Sequence, residues 1–123
     1  MLEKTYYSHS RRIYNTFAER SQRNWIEKHF GMVVCSNRDI EEMHDMKCRL
    51  EAVKTCHKVV CTEFDGYIGR DVHLEVREAL KHKISVLVLR KEGIGGSYKF
   101  KTVISTEVAD TSDWIHYAVV KVK

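Results

Sequence analysis

The stretch Val59-Val60-Cys61-Thr62-Glu63-Phe64-Asp65-Gly66-Tyr67-Ile68-Gly69-Arg70-Asp71-Val72-His73-Leu74-Glu75 decides the fold. Its apolar, β-branched start closing on Asp65-Gly66 reads as a buried strand and its stop. The polar residues beyond lead into a helix that carries a carboxylate, Glu75, near its start. Open α/β sheets take ligands in the crevice outside the carboxyl ends of their strands, so residues 63 to 75 read as half of a site. The other half has to come from the end of a neighbouring strand. Thr5-Tyr6-Tyr7-Ser8-His9 begins β-prone and turns small and polar, which makes it that strand. The loop Ser8-His9-Ser10-Arg11-Arg12 offers hydroxyls, an imidazole and guanidiniums suited to phosphate or sugar oxygens. An ordinary solvated basic loop would carry the same residues.

Working outward, Thr16-Phe17-Ala18-Glu19 has capping-box spacing. Phe17, Ala18, Trp25, Ile26 and Phe30 recur at helical intervals until Gly31 supplies a stop. Those aromatics read as amphipathic packing rather than a stacking platform. Met32 to Cys35 is a second strand. Met43, Met46, Leu50 and Val53 mark a second helix between Ile40 and Cys56, and His57 to Thr62 a third strand. Asp71 to His82 forms a third helix on the stripe Val72, Val76, Ala79 and Leu80, with Glu75 at the edge of that stripe. Ile84 to Leu89 is the most apolar run and reads as a strand buried on both faces. Lys91 to Ser97 is glycine-rich without phosphate-loop or dinucleotide spacing, hence a connector or lid. Lys99 to Ser105 and Trp114 to Val122 read as two strands joined by a turn at Ala109 to Asp113. A short final helix capped at Ser112 is the alternative.

This alternation implies right-handed crossovers. It predicts one α/β domain over residues 1–123, a three-layer Rossmann/flavodoxin-like sandwich. The sheet is mostly parallel with core order 2-1-3-4 and C-terminal β-strands at its edge. The switch point then falls between strands one and three, beside both halves of the site.

At 123 residues the chain can build a core without disulfides. No apolar run approaches the roughly 20 residues that span a bilayer, so a soluble, cytoplasmic protein with no membrane partner is expected. Cys35, Cys48, Cys56 and Cys61 read as reduced, buried thiols. The spacing Cys48, Cys56, His57, Cys61 lacks a paired zinc knuckle, and neither metal nor cofactor is expected. The net charge of +4 is scattered among seventeen acids, which gives no strong nucleic-acid signal.

An early Tyr-containing strand ending at Ser8-His9-Ser10, a later one ending at Asp65-Gly66, and a helix presenting Glu75 within Asp71-Val72-His73-Leu74-Glu75-Val76 together form a pattern. Over roughly residues 5–90 it resembles the nucleoside 2-deoxyribosyltransferase-like group and its nucleotide N-glycosidase relatives. The resemblance implies a nucleoside or nucleotide partner and N-glycosyl transfer or hydrolysis. Glu75 would be the nucleophile on the anomeric carbon, with Asp65 or His9 as acid. Ser8, His9, Ser10, Arg11, Gly66 and Arg70 would hold sugar, base or phosphate. It also implies a homodimer or higher homo-oligomer. Two positions depart from the pattern: Asp71-Val72 stands where the group has Gly-Thr, and Ser8-His9-Ser10 where it often has Ala-Gly-Pro. A non-catalytic nucleotide-binding module and an oligomeric interaction protein on the same fold are the alternative readings.

Overall fold

The computed structural model of the chain describes residues 3–35, 45–63, 67–91, 98–103, 108–110 and 116–119. In chain order these form β1 (Lys4–Ser8), a 3-10 turn (Arg11–Ile13), α1 (Phe17–Phe30), β2 (Met32–Cys35), α2 (Met46–Lys54), β3 (Lys58–Thr62), β4 (Tyr67–Gly69), α3 (Arg70–Lys81), β5 (Ser85–Lys91), β6 (Tyr98–Val103), β7 (Val108–Asp110) and β8 (His116–Val119). The architecture is α/β. A five-stranded sheet runs in the order β2-β1-β3-β5-β6, parallel except for the antiparallel edge strand β6, which is compatible with a flavodoxin-like fold.

Because side chains alternate across a strand, neighbouring residues of β1 and β3 feed two separate cores. Tyr6, Val59 and Cys61 join Val53 of α2 and Val72, Val76 and Ala79 of α3. Tyr7 and Val60 join Ile26 of α1 together with Val33, Cys35 and Leu89. Register places Ser8 opposite Cys61 and Cys61 opposite Val88, so β1, β3 and β5 end close together.

Local chemistry sets the helix ends. Thr16 is the N-cap of α1, its Oγ1 accepting from the Glu19 N–H at 3.3 Å. Gly31 closes α1 at φ 89°, a conformation that L side chains rarely adopt, and donates its N–H to Glu27 at 2.8 Å. After α3 the same left-handed role falls to Lys83 at φ 59°.

The carboxyl-terminal strands differ from the expectation. Only β6 lies at the edge of the main sheet. Β7 and β8 form a second, antiparallel sheet with β4 in the order β4-β8-β7. Tyr67 to Gly69 reads as loop because three residues beside glycines carry no periodicity. Its strand exists through pairing with β8, about fifty residues away in sequence. For the same reason Val108–Asp110 is a strand where the sequence suggested a turn. The alternative helix from Ser112 and the glycine-rich segment after Lys91 lie outside the described residues, as does the first part of the expected second helix. Among the described residues, no helix is long and apolar enough to cross a membrane.

Candidate active site

Helix α3 begins on the carboxyl side of the sheet and turns Glu75 back against the end of β1. Its carboxylate is only 3% exposed. The Ser8 hydroxyl donates to Oε1 at 2.9 Å, and the Tyr6 hydroxyl donates to Oε2. Residues 6 and 8 share a strand face, which is why both reach one carboxylate. From α2 the buried Arg49 brings its Nε within 3.9 Å of Oε2, while its Nη2 meets Asp71 Oδ2 at 3.2 Å. Asp71 and Glu75 stand one turn apart on α3 and share that guanidinium.

Burial pushes the Glu75 carboxyl up to about 7. The Tyr6 hydrogen bond, the Arg49 charge and the Ser8 hydrogen bond oppose the rise, and Asp71 adds to it. Burial, with the adjacent Glu75 charge, raises the Tyr6 phenol, so Tyr6 is a committed donor. Burial works against the Arg49 charge, but Glu75 and Asp71 more than offset it and its pKa lies above the ordinary value. Burial likewise pushes the Cys61 thiol up to about 12, with Glu63 and Glu75 both contributing. Cys61 is therefore an unreactive thiol flanked by two carboxylates. Beyond it, at the ends of β3 and β5, Glu63 accepts from Arg90, leaving its second oxygen buried without a hydrogen-bond partner.

The opposite face of β1 carries a second polar group. His9 Nε2 meets Glu19 Oε2, and Nδ1 lies 3.2 Å from the Tyr7 carbonyl. The imidazole stacks on Tyr7 at 3.9 Å between ring centroids. Glu19 also accepts from the Asn15 N–H at 2.9 Å. Burial lowers the His9 pKa, while the bond to Glu19 works the other way.

Of the residues expected in the site, the structure thus joins Ser8 directly to Glu75 and takes His9 to Glu19, because consecutive strand residues face opposite ways. Ser10 is half-buried and its hydroxyl accepts from the Arg12 N–H at 3.2 Å. Arg70 is exposed at the start of α3. Asp65, Gly66 and the side chain of Arg11 lie outside the described residues. Three residues that the sequence reading passed over belong to these constellations: Tyr6, Arg49 and Glu19. Arg49 had a signal, a charged residue three after Met46 and four before Val53, on the buried stripe of α2. Glu19 was read only as the far end of a capping box, and its side chain instead serves His9.

All four cysteines are free thiols, Cys48 half-buried and the others buried. Among the described residues, no three His, Cys, Asp or Glu side chains gather as a metal site. Comparison with family models, curated proteins and solved structures returns no match.

Proposed function

We propose that the chain transfers or hydrolyses the N-glycosidic bond of a nucleoside or nucleotide, with Glu75 as the nucleophile. The fold behind the proposal is the three-layer Rossmann/flavodoxin-like sandwich with parallel core order 2-1-3-4, β5 being the fourth strand. The observation that carries it is the Glu75 carboxylate, buried at the carboxyl end of the central strands with a hydroxyl donor on each oxygen. Such donors hold a carboxylate in one orientation, which is what in-line attack on an anomeric carbon requires.

In the first step a Glu75 oxygen bonds to the anomeric carbon as the carbon–nitrogen bond breaks. The bonding pair leaves with the base, which takes a proton from an acid. In the second, water or another base attacks the same carbon and restores the carboxylate. With both His9 nitrogens engaged by Glu19 and the Tyr7 carbonyl, the acid role goes to Asp65. Ser10, Arg11, Gly66 and Arg70 take sugar or phosphate contacts, and a second copy of the chain completes the site in a homo-oligomer.

The burial of Glu75 favours a second reading. A carboxylate only 3% exposed also suits a crevice that binds a nucleotide without turning it over. A thermal-shift panel of nucleosides, deoxynucleoside monophosphates and cyclic or ADP-ribose-type nucleotides separates the two, each sample being chromatographed afterwards for free base. Saturating ligand at a hundredfold excess over its dissociation constant adds about 2.7 kcal/mol. Base release that disappears in Glu75→Gln supports the enzyme. A shift with intact ligand supports the binding module, and no shift anywhere overturns both in favour of an interaction protein.

A further inference from the structure

Arg49 is 1% exposed and is the sole Lys or Arg among the buried side chains of the described residues. A cation there is a poor core-filler, since an apolar side chain of similar volume would stabilise α2 against α3 at least as well. Its contacts are unequal. Nη2 makes the close contact, 3.2 Å to Asp71 Oδ2. Nε, sealed from solvent and without a hydrogen-bond partner, stands 3.9 Å from Glu75 Oε2. With Tyr6 already donating to Oε2, an Arg49 N–H bonded there as well would occupy the lone pair that is left. A guanidinium held just beyond bonding distance lends its positive charge and leaves that lone pair open. Asp71, 35% exposed in the first turn of α3, is what keeps it there.

We propose that Arg49 is a positioning residue for Glu75: tethered by Asp71, its buried guanidinium favours the ionised form of the Glu75 carboxylate without itself bonding to it. The inference rests on the enzyme reading for its purpose, but the charge relation can be measured without substrate. The groups facing Glu75 among the described residues are Tyr6 and Ser8 from β1, Arg49 from α2, Cys61 from β3 and Asp71 from its own helix. Of these Arg49 alone is cationic. The Coulombic effects on Glu75 are opposite in sign, as the two charges require, Arg49 lowering its pKa and Asp71 raising it.

The test is a carbon-13 carboxyl NMR titration of the full chain, with the Glu75 resonance identified by its absence in Glu75→Gln. In Arg49→Met the midpoint moves up by about 1–3 pH units, the range for an opposite charge at this distance. Arg49→Lys, which keeps the charge, holds the midpoint near that of wild type. Arg49→Gln, which keeps a polar head without the charge, raises the midpoint as Arg49→Met does and decides the matter should Arg49→Met fail to fold. An unchanged midpoint in Arg49→Met, or in Arg49→Gln should the first not fold, overturns the proposal. The enzyme reading stands or falls separately, on base release by wild type against Glu75→Gln.

Discussion

Replacing Glu75 by Gln removes a titrating group while keeping its shape, and the structure fixes how stability responds to pH. The folded-state carboxyl is raised from the ordinary 4.5 to about 7, chiefly by burial. A folded value above the unfolded one means that the native state holds the proton more tightly. The stability this confers is complete below pH 4.5 and is lost as pH rises through about 7. At about 1.4 kcal/mol per unit, the loss amounts to about 3 kcal/mol. Glu75→Gln has no such loss. Urea denaturation of both proteins at intervals from pH 4.5 to 8.5 gives the difference in stability at each pH. Taking the difference removes the contributions of groups common to both, His9 included. It also leaves any pH-independent change in the bonds from Tyr6 and Ser8 as a constant offset. The difference shifts in favour of Glu75→Gln by about 3 kcal/mol across this range, with most of the change between pH 5 and 7. In melting temperature that is roughly 10 °C for a chain of this size. A flat difference curve, or one that shifts in favour of wild type as pH rises, refutes the argument that burial dominates the Glu75 environment.

Two further predictions concern the scaffold. Thr16→Ala removes the oxygen that receives the Glu19 N–H at the start of α1 and lowers stability by about 1 kcal/mol in urea denaturation. Lys83→Gly relieves a left-handed residue at φ 59° on an exposed turn; the same assay shows a gain of roughly 0.5–1 kcal/mol, and a loss refutes the assignment of strain there.

The sequence showed most plainly what local chemistry determines. Thr16 and Gly31 bracket α1 as their side-chain and backbone preferences require, and the apolar run from Ile84 marks β5. Glu75 stood out through the family resemblance, since its spacing at the edge of an apolar helical stripe would by itself read as a surface acid. Its environment did not, because each partner comes from a distant part of the chain. Tyr6 is 69 residues away and looks like any β-prone aromatic. Arg49 sits on a different helix, and only its place on the buried stripe of α2 hinted that it needed a counter-charge. The split between Ser8 and His9 follows from strand alternation, yet which face meets α3 depends on the crossovers. The strands β4 and β7 were lost for a related reason, three-residue segments without a periodicity of their own that become strands by pairing with β8.

Most directly at issue is whether Glu75 becomes bonded to the sugar. Incubation of wild type with a nucleoside or nucleotide that shifts its stability, acid quenching within one turnover, and peptide mapping by mass spectrometry would read this at a single residue. A glycosyl ester is expected on the peptide carrying Glu75, with free base in equal amount, and neither from Glu75→Gln. Base release from Glu75→Gln at the wild-type rate, or an adduct on any other residue, would contradict the nucleophile role.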